Sequence, residues 1–260
     1  MRSTRRHAFT LVELLVVIGI IAVLVSILLP SLNRARQTAI ATKCLNNIKQ
    51  LTMANQMYLN EYKGKLPFTN WDGGVGPPPK NAHMGWLYDC PIANPVNDPT
   101  KVNTGAYWPY LKNYDIYHCP SHNKNEAGQF GTHNTDTLTS YLMNGAVNAY
   151  GAAGVNGGIY MSTITQFKPD DVILWEADER GGAAWNDGAS YPSETFDIGP
   201  DGKLNGGLTA RHGKTAVIGC FDGHAEWMSH KEFYDLAIGS YSTFRNRIWC
   251  APSPPSTNGH

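Results

Sequence analysis

Residues 14–29 form a largely apolar run of sixteen positions without a charge, and extending it back to Phe9 gives twenty-one with Glu13 as the only charge. At ~1.5 Å rise per residue a helix of that length is about 31 Å long, enough to cross a bilayer core. After Pro30 the pattern turns amphipathic. Ile40, Cys44, Ile48, Leu51, Tyr58 and Tyr62 recur near steps of three and four, which predicts a helix half embedded in a domain and half wet. Lys43, Asn47, Gln50 and Glu61 fall off that stripe. Gly64 and Pro67 predict the helix end. One helix from Phe9 to about Tyr62, about 80 Å long and bent near Pro30, is the expectation.

Downstream the spacing shortens to that of strands and loops. Residues 71–104 are rich in Gly, Pro, Asn and Asp and predict an extended loop rather than a separate domain. A short helix is expected at 107–111 and an ordered stretch at 140–144. The run Val-Ile-Leu-Trp-Glu-Ala at 172–177 predicts a strand, and residues 215–221 and 224–228 predict two more. Asp222-Gly223 between the last two predicts a hairpin, with a type I′ turn that needs positive φ at both central residues. The fold class expected is α+β: one long N-terminal helix packed by its second half on a small antiparallel sheet.

Charge adds an orientation. Basic and acidic residues both number 21, so nothing points to nucleic acid. Arg2, Arg5 and Arg6 all precede the apolar run, and setting them aside leaves 18 basic against 21 acidic residues. Basic residues ahead of an apolar helix keep that end cytoplasmic, so the body is expected outside. Five cysteines suit an oxidising compartment, but none is spaced as Cys-x-x-Cys, and small buried hydrophobes are an equal reading. Seven tryptophans and thirteen tyrosines could line a carbohydrate groove, although core and interface are the commoner uses of such residues. Gly-x-Ser-x-Gly, His-Glu-x-x-His and phosphate-loop patterns do not occur, so no enzyme activity is expected.

A secretory signal peptide explains the arginines and the apolar run, but the Ala-x-Ala match at Ala39-Ile40-Ala41 lies ten residues beyond Leu29, inside the amphipathic pattern. A plain signal anchor leaves Glu13 without a reason. The stretch Phe9-Thr10-Leu11-Val12-Glu13-Leu14-Leu15-Val16-Val17-Ile18 resembles the signature of type IV prepilins and type II secretion pseudopilins. The resemblance implies that a prepilin peptidase cuts between Ala8 and Phe9 and methylates the new amine. It also makes Glu13 the assembly glutamate and Pro30 the helix-bending proline. Ala8 departs from the Gly usual before the cut. A carboxylate in hydrocarbon is costly, and the N-terminal amine of a neighbouring subunit can offset it, so Glu13 favours assembly.

The implied plan is a leader at 1–8, a transmembrane and assembly helix at 9–30 and an exported domain at 31–260. The implied role is a structural filament subunit, single-pass in a bacterial inner membrane, N-terminus cytoplasmic and C-terminal domain periplasmic or extracellular. Its partners would be prepilin peptidase, other pilin or pseudopilin subunits and the inner-membrane assembly platform. The alternative is a membrane-anchored exported binding protein, for carbohydrate or metal, that does not polymerise.

His212, nine intervening residues and Asp222-Gly223 resemble the prepilin-type H-X9-DG domain. Cys44-Leu45-Asn46-Asn47-Ile48-Lys49-Gln50, Cys119-Pro120-Ser121 and Ser140-Tyr141-Leu142-Met143-Asn144 resemble further segments of those proteins. His212 and Asp222, with His224, invite a catalytic or metal reading, but the stronger one is structural: Asp222 takes a turn conformation, His212 sits where the first strand begins, and both stabilise the hairpin. Pseudopilins commonly bind calcium in a C-terminal loop, and Asp197 and Asp201 in Asp197-Ile198-Gly199-Pro200-Asp201-Gly202 would be its ligands here. That loop lacks EF-hand spacing, and a turn is the plainer reading. No other cofactor is expected. The family-like segments and the inward position of Cys44 favour a Cys44–Cys119 disulfide, with Cys90–Cys119 as the competitor.

Overall fold

The computed structural model describes residues 11–70, 85–89, 99–122, 138–148, 162–177, 188–190, 192, 197–198, 204–205, 207–238 and 245–250. The chain divides into two units, residues 1–41 and 42–260. Helix α1, Leu11–Glu61, is 51 residues long and runs through Pro30.

In the first unit every residue from 11 to 39 is exposed, including the large apolar side chains. The Ser26 hydroxyl donates to the Val23 carbonyl at 2.7 Å, so the polar side chain inside the 14–29 run is satisfied within its own helix. The helix is long and apolar enough to cross a membrane.

In the second unit α1 buries Cys44, Ile48, Leu51 and Tyr58, as the spacing predicts, and also Asn47, Thr52, Ala54, Asn55 and Leu59. Asn47, expected on the wet side, is 3% exposed. Its amide donates to the carbonyls of Asp115 and His118, at 3.2 and 2.9 Å, and to the Tyr141 hydroxyl at 3.3 Å. A polar side chain with its donors engaged can be buried at little cost, which hydropathy alone does not reveal. The helix closes with Lys63 and Gly64 at positive φ, and the Gly64 N–H donates to the Leu59 carbonyl at 2.7 Å. Glycine supplies the left-handed conformation that caps the last turn.

The main sheet has the order β3-β1-β2-β6-β7. Strands β1 (Tyr141–Asn144), β2 (Val172–Glu176), β6 (Thr215–Cys220) and β7 (Ala225–Ser229) pair antiparallel, and the two-residue β3 (Ala189–Ser190) adds parallel to β1. Strands β4 (Asp197–Ile198) and β5 (Leu204–Asn205) form a separate pair. Two faces of the main sheet are covered differently. Leu142, Trp175, Ile218 and Met228 pack with Phe233 of α3 (His230–Ala237), whose N-cap Ser229 accepts from the Glu232 N–H. On the other face Gly219 meets α1: a Cβ there would lie 2.5 Å from Thr52 Cγ2 and 2.7 Å from Ile48 Cγ2. The absent side chain lets helix and sheet approach.

The hairpin forms where Asp222-Gly223 predicts it, but its turn differs. Gly223 has φ +93°, whereas Asp222 is not among the positive-φ residues. The Gly223 N–H donates to Cys220 at 3.1 Å and the Cys220 N–H to His224 at 2.9 Å, a three-residue loop with glycine at its left-handed position. Asp222 Oδ1 accepts from the His224 N–H at 3.0 Å, an aspartate turn that supports negative φ. The loop docks on α1: Thr52 Oγ1 donates to the Gly223 carbonyl at 3.0 Å and Gln56 Nε2 to that of Phe221.

Most of the expected 71–104 loop lies outside the described residues. Within it, residues 85–89 include the buried Trp86, and Pro99–Thr104 is a 3-10 helix. The short helix expected at 107–111 is α2, Trp108–Leu111.

Candidate functional site

Glu13 lies in the first turn of α1, between exposed Val12 and Leu14. Acids near a helix N-terminus are favoured by its dipole, but no globular core accounts for apolar neighbours left this exposed. Ala8 and Phe9 lie outside the described residues; Pro30 is inside the helix.

A second set of polar groups is buried in the folded unit. The second half of α1 brings Cys44, the segment after the 3-10 helix Tyr114–Tyr117 brings Cys119, the end of β2 brings Glu176, and the approach to β6 brings Arg211 and His212. Cys44 Sγ donates to Cys119 Sγ at 2.8 Å, and Cys119 Sγ is 3.6 Å from His212 Nε2. His212 Nε2 lies 3.2 Å from both Glu176 oxygens, and Arg211 Nη1 donates to Glu176 Oε1 at 3.1 Å. Arg211 Nη2 also donates to the Ala177 carbonyl at 3.2 Å. The side chains of Glu176, His212 and Arg211 are 0%, 4% and 5% exposed.

Burial works against the charges of Glu176 and His212, but their contacts prevail. Burial pushes the Glu176 carboxyl up, yet the His212 hydrogen bond and the Arg211 charge bring it below the usual carboxylate value. Burial likewise pulls His212 down, while hydrogen bonds with Cys119 and Glu176 lift it to about 9. The Cys119 thiol is raised, first by the Cys44 hydrogen bond and then by burial. The Trp227 ring stands edge-on to the imidazole, 5.5 Å between centroids.

The structure separates the two ends of the H-X9-DG spacing. His212 turns to Glu176 and Cys119, and Asp222 to His224, whose Nδ1 is 2.5 Å away. Asp222 shapes the turn, as expected, and His212 precedes the first strand of the hairpin, but its side chain joins the cluster with Cys119 and Glu176. Cys44 and Cys119 are adjacent but are free thiols; Cys90 lies outside the described residues. Asp197 is in β4, and Asp201 lies outside the described residues, so the geometry of a calcium loop there does not enter. Sequence reasoning passed over Glu176 and Arg211. A glutamate closing an otherwise apolar strand was the available signal, since a charge there has to find a partner.

Among the described residues, one ligand atom from each of Cys44, Cys119, Glu176 and His212 lies within 4.8 Å of the others. A second group, Cys220, His224 and Glu226, is as compact, but Arg247 already donates to Glu226 and to Cys220 Sγ.

Residues 33–197 match the family described as "Protein of unknown function (DUF1559)". The chain belongs to the DUF1559 family. The matched region holds Cys44, Cys119 and Glu176 and ends before His212. Residues 3–29 of this family member match the prokaryotic N-terminal methylation motif. Two Neisseria gonorrhoeae proteins named type IV major pilin protein PilE1 are each 28% identical over 105 residues, 40% of this chain and 62% and 57% of their own lengths. The chain thus matches less than two thirds of either relative. No solved structure matches it.

Proposed function

We propose that the chain is a structural subunit of a type IV pilus-like or type II secretion-like filament, cut by prepilin peptidase between Ala8 and Phe9 and N-methylated at Phe9. The observation that carries this reading is the methylation motif at 3–29 together with a helix whose apolar residues from 11 to 29 are all uncovered, with Glu13 in its first turn. In a monomer the helix sits in the inner membrane with the N-terminus cytoplasmic and the folded unit outside. In a filament the same helices bundle, the carboxylate of Glu13 meets a neighbour's terminal amine, and the outer unit is displayed. Other pilin or pseudopilin subunits and the inner-membrane assembly platform are the partners. The PilE1 likeness supports a type IV pilin-like role.

Mass spectrometry of the mature chain tests the processing: a methylated Phe9 is expected, and an intact Met1 or a start near residue 42 rejects it. Glu13→Gln tests the assembly. Processing is expected to persist while crosslinking to neighbouring subunits falls roughly tenfold or more, because a buried ion pair broken on one side costs about 3–5 kcal/mol. Undiminished crosslinking would remove Glu13 from the account.

A further inference from the structure

We propose that Cys44, Cys119, His212 and Glu176 form a closed binding site for a zinc-class divalent cation that joins α1 to the sheet. The donor set is two thiols, an imidazole nitrogen and a carboxylate, the ligand chemistry of four-coordinate zinc. For Zn–S near 2.3 Å and Zn–N or Zn–O near 2.0–2.1 Å, a tetrahedron has S···N edges of about 3.6 Å and N···O edges of about 3.3 Å. The structure has 3.6 Å from Cys119 Sγ to His212 Nε2 and 3.2 Å from His212 Nε2 to Glu176. The Sγ–Sγ edge, 2.8 Å, is the one an entering ion opens, to about 3.8 Å.

An independent observation points the same way. Glu176 Oε2 is buried and, beyond its ion pair with His212 Nε2 at 3.2 Å, accepts no geometrically formed hydrogen bond among the described residues. A carboxylate oxygen left so in a protein interior calls for an explanation. A Cys44–Cys119 disulfide would be neutral and would leave that oxygen as it is. A divalent ion uses it. With both thiols deprotonated and His212 neutral, two thiolates, the Glu176 carboxylate, the ion and Arg211 sum to zero charge, which removes the main cost of burying them. Binding releases the two thiol protons.

Arg211 is then a positioning residue that fixes Glu176 through Oε1, as the outer partners of metal ligands do. The four ligands come from α1, the Cys119 segment, β2 and the approach to β6, so the ion would fasten elements far apart in sequence. Ligands this buried leave no open position for a substrate, and the role is structural.

The test uses the full chain in detergent, purified with reductant and without chelator. One zinc per chain is expected by elemental analysis. Cobalt exchanged into the site should give tetrahedral d–d bands and a thiolate-to-cobalt charge-transfer band. Cys44→Ser, Cys119→Ser and Glu176→Gln should each lower metal affinity at least tenfold. Since those chains could lose metal by misfolding, His212→Cys is the control: it preserves four ligands, keeps one metal per chain and strengthens the charge-transfer band. Arg211→Ala should weaken binding about 10–100-fold. Failure of the reduced chain to take up zinc or cobalt overturns the proposal. So does a metal-free chain isolated with Cys44 and Cys119 in a disulfide, or metal uptake that survives replacing both cysteines.

Discussion

Asp171 illustrates how a single buried carboxyl sets a pH dependence. It is 1% exposed, and its Oδ2 accepts from the Lys168 N–H at 2.8 Å and from Arg245 Nη2 at 2.6 Å. Burial raises its pKa, the two contacts pull the other way, and the net displacement is upward. A carboxyl whose folded pKa is raised contributes stability below its unfolded value and loses it as pH climbs through the folded value. The loss therefore begins near the ordinary 3.8 and is complete above the raised value. Asp171→Asn, which keeps the shape and remains neutral, is expected to flatten this part of the profile. Thermal melts of both chains from pH 4 to pH 7 check it: the native chain's Tm should fall relative to the variant's as pH rises, and parallel profiles refute the assignment. Little of this was legible in the sequence, because Glu176 and Asn47 are set by partners remote along the chain, and Asp171 by Arg245 as well as by its neighbour Lys168. Burial of a polar residue becomes visible only once the groups that satisfy it are in place.

Among the elements, those with strong local periodicity were readable and those decided by contact were not. The helix was expected from Phe9 to about Tyr62 and is seen over Leu11–Glu61, with the Gly64 terminus in place. The strands at 172–177, 215–221 and 224–228 appear within a residue or two of their expected bounds. The Asp-Gly dipeptide located the hairpin, whereas the turn type depended on Asp222 accepting a hydrogen bond from the His224 N–H, which no dipeptide rule contains. The packing of helix on sheet likewise depends on Gly219, a glycine inside a strand that gives no local turn signal. Its missing side chain is replaced by the methyl groups of Ile48 and Thr52. Gly219→Val would force those groups apart and is expected to cost about 1–3 kcal/mol by overpacking. At about 2–4 °C per kcal/mol for a domain of this size, the Tm should drop by several degrees. The test is denaturant or thermal unfolding of the native and Gly219→Val chains; equal stability of the two would mean that helix and sheet do not meet as closely as described.

At the scale of the whole molecule, the two units differ in what their surfaces require. The apolar run of residues 14–29 was evident from composition, and the structure adds where burial starts: residues 11–39 are all exposed, and the first buried side chain is Cys44. Full burial on α1 therefore begins at Cys44, with Ile40 and Ala41 half-buried just before it, while the exposed apolar helix needs lipid, detergent or other helices around it. This separation makes a clear prediction for a chain that begins at Thr42. It loses no buried apolar side chain among the described residues, and the new helix start leaves four backbone N–H groups for water or the Thr42 hydroxyl to satisfy. The shortened chain should stay monomeric without detergent and unfold cooperatively, within about 1 kcal/mol of the full chain's stability, roughly the effect of one helix cap. Light scattering and thermal unfolding of both chains in the same detergent, followed by removal of detergent, check the two halves of the argument. Aggregation of the shortened chain, or a full chain that remains soluble and monomeric without detergent, would show that the division between a lipid-seeking helix and a self-sufficient folded unit is wrong.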